Sequence, residues 1–236
     1  ETAYLLQKFT RTVMGSNNVD VDSNTRPGLA RALIEPLGYA ASTNTIWELE
    51  DSAAIIAVDT NITEDHNVVG IPIKKATKKG TKLIVIDSRE VELTRYAHIW
   101  LRPRPGTTLI LLSAMLRVIL DEVLYDSEFL KEKCDGFEDL EASMGAFNLD
   151  DATRLTGVPQ ELIKEAAHIY ATSATSSIVY ALDNVSNNAE YAHVQALADL
   201  ALLTGNLGKP GAGLYALRHG TNEQGAIDVG CAPDFL

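Results

Sequence analysis

Apolar positions in this chain fall into short unbroken runs, separated by stretches in which apolar and polar residues alternate with helical spacing. The runs "AAIIAVD" (53–59), "KLIVID" (82–87) and "SSIVYALD" (176–183) are short and continuous. That pattern predicts strands buried on both faces. "HIWLRP" (98–103), closed by prolines, predicts an edge-like strand. Residues 3–14 place Leu5, Leu6, Phe9 and Val13 at helical spacing before a stop at Gly15. A polar, turn-rich loop is expected over 15–28. Pro27 suits the first turn of a helix through "GLARALIEPLG", and Asn44 suits the cap of a short helix "TIWELED". Further helices are predicted over 68–80, where Lys74, Lys75, Lys78 and Lys79 precede Gly80, and over 89–97, 107–124, 159–173 and 189–205. Shorter ones are predicted at "DSEFLKEK", "FEDLEASM" and "DDATRLTG".

Buried strands alternating with helices define an α/β protein, with a parallel, doubly wound, Rossmann-like sheet and helices on both faces. The pattern leaves the strand order open. The 236 residues, 46% hydrophobic, suffice for one large domain or two small ones. A net charge of -12 argues against nucleic-acid binding but leaves room for a local basic pocket. No apolar run has the length of a membrane span, and "ETAYLLQKFT" lacks the pattern of a secretory leader. Cys134 and Cys231 form neither a disulfide framework nor a zinc spacing. They are too few to hold an iron–sulfur cluster within this chain.

Three of the runs end at a carboxylate: Asp59, Asp87 and Asp183. In open α/β sheets ligands bind at the carboxyl ends of strands. A carboxylate there accepts a ribose diol or the paired N–H groups of guanine, although an Asp after a strand also serves as a cap or turn. The loop after Asp59 begins with Thr60 and Asn61, small enough to let backbone N–H groups approach a phosphate. It carries neither a dinucleotide glycine fingerprint nor a P-loop. His66 beside Asp65 reads most simply as a solvated or helix-start histidine. There is no nucleophile elbow and no metal-binding histidine pair.

The blocks "VDTNITEDHNVVG" (58–70), residues 78–130, and "LADLALLTGNLGKPGAGLYALRHGTNEQGAIDVG" (197–230) resemble, in this order, the molybdopterin oxidoreductases. That superfamily spans formate dehydrogenases, periplasmic nitrate reductases, dimethyl sulfoxide reductases and the large iron–sulfur subunit of NADH:quinone oxidoreductase (complex I). The resemblance implies a molybdopterin guanine dinucleotide on this fold. Asn61, Glu64 and His66 stand at the family's N-x-x-E-x-H. Asp87, with Arg89, stands at its D-x-R, which meets the guanosine part. Arg218, Asn222 and Gln224 match the later block lining the second pterin. Asp59, Thr108 and Asp183 complete the implied cofactor set.

Three departures stand out. The family's PGTD reads Pro105-Gly106-Thr107-Thr108, so Thr108 replaces a carboxylate that pairs with guanine. Asn17-Asn18-Val19-Asp20 is followed by no Cys or selenocysteine and no adjacent His. The segment "NVSNNAEY" (184–191) lacks the catalytic histidine expected there. No catalytic residue is assigned on this basis. The resemblance places the whole of 1–236 as a central α/β domain of a larger subunit, without the N-terminal iron–sulfur and C-terminal pterin-closing domains. Its expected partners are those domains and iron–sulfur or flavin electron-transfer subunits. Its expected location is the cytoplasm, or the inner membrane face through partners.

The missing thiol and Thr108 favour a complex-I-like domain in electron transfer. The retained Asn61, Glu64, His66, Asp87 and Gln224 support the alternative of a formate-dehydrogenase-type molybdenum or tungsten enzyme. In that enzyme Asp20 or Asp22 could supply a hard metal ligand. A non-catalytic assembly scaffold is the third reading, with the apolar helices 107–124 and 189–205 buried against other domains.

Overall fold

The computed structural model describes residues 1–20, 28–185, 189–218, 220 and 222–232. Asp22 and the helix-opening role of Pro27 lie outside the described residues. The elements, in chain order, begin with α1 (Thr2–Thr12), α2 (Gly28–Arg31), α3 (Ile34–Leu37) and a 3-10 turn at Ile46–Asp51. Then follow β1 (Ala54–Val58), α4 (Ile62–Asp65), α5 (Asn67–Lys79), β2 (Lys82–Ile86), a 3-10 turn at Glu92–Tyr96 and β3 (Ile99–Leu101). Next come α6 (Thr108–Asp121), α7 (Ser127–Lys133), α8 (Phe137–Met144), α9 (Leu149–Thr156), α10 (Gln160–Thr172) and β4 (Ser176–Tyr180). The described chain closes with α11 (Glu190–Leu203), β5 (Gly213–Ala216) and α12 (Glu223–Asp228).

The five strands pair in the order β3-β2-β1-β4-β5, all parallel. The chain leaves β1 in one direction through α5 to β2 and then β3. It returns through α6 to α10 and adds β4 on the other side of β1. The order therefore reverses between β1 and β4, which opens a crevice outside their carboxyl ends.

Alternate residues of each strand feed two cores. Ile56, Val58, Ile84, Ile86, Ile178 and Tyr180 pack under α6, α10 and α11, while Ile55, Ala57, Leu83, Val85 and Val179 pack under α5 and the first 3-10 turn. Both faces are covered, and each fully buried Ile or Val contributes about 1.5–3 kcal/mol. Helices α6 and α11 pack against each other within this chain, and most of their apolar side chains are buried there.

Several local expectations change. "GLARALIEPLG" forms two four-residue helices rather than one. The turn at Ile46–Asp51 is 3-10, and its cap is Thr45, not Asn44: Thr45 and Glu48 form a capping box. Residues 89–97 yield only the 3-10 turn Glu92–Tyr96. The fourth run stops as strand at Tyr180, and Asp183 follows a left-handed Leu182 (φ 58°). The apolar side of α1 faces solvent, with Leu5, Leu6, Phe9 and Val13 all exposed. Strand β5 and helix α12 have no counterpart in the periodicity, because β5 is a four-residue edge strand that starts at Gly213.

Candidate functional site

Strand β1 ends at Val58, and Asp59 adopts a left-handed conformation (φ 42°), which a short polar side chain tolerates better than a β-branched one. This turn directs the Asp59 carbonyl to the Asp183 N–H (2.8 Å), which ties the ends of β1 and β4 together. The Asp183 carboxylate in turn accepts the Asn61 N–H (3.3 Å). Asn61 Nδ2 donates to Glu64 Oε2 (2.7 Å) across the short helix α4. Glu64 is exposed, at the rim.

Asp87 closes β2 and is fully buried. Its Oδ1 accepts from Arg89 N (2.8 Å) and Nε (3.2 Å), and its Oδ2 from Arg89 Nη2 (3.1 Å). The same guanidinium lies 3.5 Å from Asp183 Oδ2. Its pKa is raised, chiefly by the hydrogen bond to Asp87. Asn184 Nδ2 donates to both Asp59 Oδ1 (3.0 Å) and Asp87 Oδ1 (3.1 Å). Thr108, buried in the first turn of α6, stands beside Asp59. The crevice floor thus carries three carboxylates against one guanidinium.

Burial pushes the Asp59 carboxyl above the usual carboxylate range. Thr108 and Asn184 oppose that rise, Asp87 adds to it, and His193 on α11 opposes it. Among the described residues, Asp59 Oδ2 and Thr60 Oγ1 are buried and find no hydrogen-bond partner.

A second group gathers past the end of β5. His66, Arg218, Asn222 and Gln224 line a cavity of about 380 Å³, together with Ser42 and Ile46. Arg218 is held by the Ala40 carbonyl (Nη2, 2.9 Å) and by Glu223 (3.5 Å). Asn222, left-handed at φ 55°, starts α12, and Gln224 Nε2 donates to Asp228 (2.8 Å). His66, read from sequence as a solvated or helix-start residue, sits between α4 and α5 and lines this cavity.

All eleven positions singled out in the sequence therefore lie along the carboxyl edge of the sheet, in two groups. Sequence reasoning missed the bridging part of Asn184, and it missed His193 and Glu223. His193 and Glu190 are buried on α11 with Val194, Leu197 and Ala201. That helix is buried on most of its sides, so no apolar stripe in the sequence singles them out. Asp20 is exposed. Among the described residues no group of three or more His, Cys, Asp or Glu side chains is arranged to hold a metal ion. No helix among them is long and apolar enough to cross a membrane.

The profile of the molybdopterin oxidoreductase family matches residues 1–235. The chain belongs to the molybdopterin oxidoreductase family. It is 37% identical to F420-dependent formate dehydrogenase 1 subunit alpha of Methanococcus maripaludis, over 100% of this chain and 35% of that protein. It is 34% identical to formate dehydrogenase H of Escherichia coli, over 99% of this chain and 33% of that protein. Among solved structures, acetylene hydratase from Pelobacter acetylenicus matches 90% of this chain and 29% of its own, with a TM-score of 0.76 and 29% identity. The chain spans about a third of the length of these relatives.

Membership of this family implies a molybdenum or tungsten pterin cofactor. The donor set along the edge fits such a group. Carboxylates and amides at the crevice suit a ligand bearing hydroxyl and N–H donors, and Arg218 beside His66 suits anionic or carbonyl oxygens. The orphaned Asp59 Oδ2 and Thr60 Oγ1 mark the crevice as a place where polar capacity is left over within the described residues.

Proposed function

We propose that this chain is the cofactor-holding core of a formate-dehydrogenase-type enzyme that binds molybdopterin guanine dinucleotide along the carboxyl edge of its sheet. The observation that carries this reading is the gathering of Asp59, Asn61, Asp87, Arg89, Thr108 and Asp183 at the β1–β4 switch point, with His66, Arg218, Asn222 and Gln224 beside it. The formate dehydrogenase relatives favour this reading over the complex-I-like one that the sequence put first on the missing thiol and on Thr108. The neighbour named as a hydratase is a reminder that this fold by itself does not fix the reaction.

In this reading the switch-point crevice takes the guanosine end. Arg89, about half exposed, presents its outer face there while Asp87 and Asp183 fix its direction. Asn61 and Glu64 form the rim. Arg218 and His66 orient a pterin through its oxygen acceptors, and Asn222 and Gln224 complete the amide lining. When bound, the cofactor supplies the metal-centred redox chemistry. This chain's residues bind it, orient it and keep its polar atoms paired. Electrons pass to iron–sulfur or flavin partners, consistent with relatives that are named as alpha subunits.

The test is metal and guanine nucleotide analysis of the intact parent polypeptide. Near-stoichiometric molybdenum or tungsten with about two guanine nucleotides supports the reading. Metal without guanine removes the dinucleotide form, and neither metal nor guanine leaves a retained fold without the cofactor. A companion variant, Arg218→Ala, should lower cofactor retention by at least about tenfold, because it removes a nearly buried cation worth about 1.5–3 kcal/mol per charged hydrogen bond.

A further inference from the structure

Strand β3 lies at the edge of the sheet beside β2, and side chains from its end reach the Asp87 loop. Trp100 Nε1 donates to the Asp87 carbonyl (2.9 Å). Arg102, just past the strand, donates its Nε hydrogen to the Ser88 carbonyl (3.1 Å). Its guanidinium lies over the Trp100 ring, 5.1 Å from the centroid. These two contacts fix an exposed guanidinium next to the loop that carries Asp87 and Arg89. Arg89 spends its Nε and Nη2 on Asp87. Both Nη groups of Arg102 are without a hydrogen-bond partner among the described residues.

Thr108 stands where the family's carboxylate pairs with guanine. It is 4% exposed, and its side chain hydrogen-bonds Asp59. A single covered hydroxyl cannot accept the N1 and N2 hydrogens of guanine together. The opposite edge of the base, with O6 and N7, calls for donors instead, and a planar guanidinium meets both atoms at once. On the β4 side of the crevice, Asp183 and Asn184 are already tied to Asp59 and to the Asp87–Arg89 pair. On the β3 side, Arg102 offers a donor pair that nothing in the described chain uses.

We propose that Arg102, held on Trp100, reads the O6 and N7 acceptors of the base and so sets the nucleotide preference of this crevice. The inference rests on the guanine-dinucleotide reading above. With the ribose at the strand-end carboxylates, the base extends toward β3 and meets the free Nη groups. A guanidinium keeps its charge at every working pH, so the contact involves no titration. This recognition differs from that of a carboxylate in what it ignores. Arg102 does not touch the 2-amino group, so hypoxanthine, which keeps O6 and N7 but lacks that amine, is accepted as guanine is. Adenine presents an amino donor at position 6, sets donor against donor, and is rejected.

The test is calorimetric binding of the 5′-monophosphates of guanosine, inosine and adenosine to the full chain prepared without its pterin. Wild type should bind the guanosine and inosine nucleotides within about fivefold of each other, and the adenosine nucleotide about tenfold or more weakly. Arg102→Gln presents a donor and an acceptor that match adenine, so the ratio of guanosine to adenosine affinity should fall by about tenfold or more. A merely structural loss would weaken all three nucleotides together and leave that ratio where it was. Lys82→Gln, which removes an exposed cation at the opposite end of β2, should leave the ratio as in wild type. Three results overturn the role of Arg102 while the guanine reading stands: an unchanged ratio in Arg102→Gln, equal binding of all three nucleotides by wild type, or inosine binding more than about fivefold below guanosine. If wild type binds none of the three, the guanine reading itself fails and the role of Arg102 falls with it.

Discussion

Asp87→Asn probes the most heavily bonded carboxylate of the site. Asp87 accepts the Arg89 N–H, Nε and Nη2 and the Asn184 amide, and is itself fully buried. Asn in its place keeps the volume but loses the charge, and its amide NH2 would face the Arg89 guanidinium, setting donor against donor. Breaking one side of a buried pair costs about 3–5 kcal/mol. Arg89 is 45% exposed and rehydrates, which lowers the expected loss to about 2–3 kcal/mol. For a chain of 236 residues that is a fall in Tm of roughly 5–10 °C. Thermal unfolding followed by circular dichroism at neutral pH reads it directly. The control is Asp121→Asn, which removes an exposed i,i+4 pair with Arg117 and should cost no more than about 0.5 kcal/mol. A Tm loss in Asp87→Asn no larger than in the control would refute the claim that the Asp87–Arg89–Asn184 array is built into the folded state.

Two further predictions address other parts of the molecule. Burial pushes Asp199 up to about 6. Its contribution is therefore complete below about pH 4 and is lost as pH rises through 6. Asp199→Asn should be more stable than wild type above neutral pH by about 1–3 kcal/mol and no different in acid, as urea unfolding at two pH values would show. Gly213 opens β5 at φ 139°, and a Cβ there would collide with the Thr43 hydroxyl and the Asn44 side chain. Gly213→Ala should cost about 1–3 kcal/mol and loosen the edge beside the Arg218 cavity, measured as lower Tm and faster amide exchange in β5.

The β-branched runs at 54–58, 82–86 and 176–180 were legible as strands because a strand buried on both faces has no polar alternation to hide it. Asp59, Asp87 and Asp183 were legible as a set because each followed such a run. Asp183 lies farther from its strand than its position in the run suggested, since Ala181 and a left-handed Leu182 intervene. The 3-10 turns at Ile46–Asp51 and Glu92–Tyr96 were read as helices because a single turn carries too few residues to separate the two periods. His193 was passed over because it lies in an otherwise apolar helix, where one polar residue adds little to a hydrophobic pattern.

By itself the sequence determined the class of fold, the carboxylates at the strand ends and the family blocks, all of which depend on local order along the chain. Only the tertiary structure decided the strand order that opens the crevice between β1 and β4. It alone decided that Arg89 compensates Asp87 and Asp183 while Asp59 meets the neutral groups of Thr108 and Asn184. Those outcomes depend on distances between residues as far apart as Asp59 and Asn184. Charge balance in a buried crevice is set by such distances and by the exclusion of water, and neither is written in the order of residues.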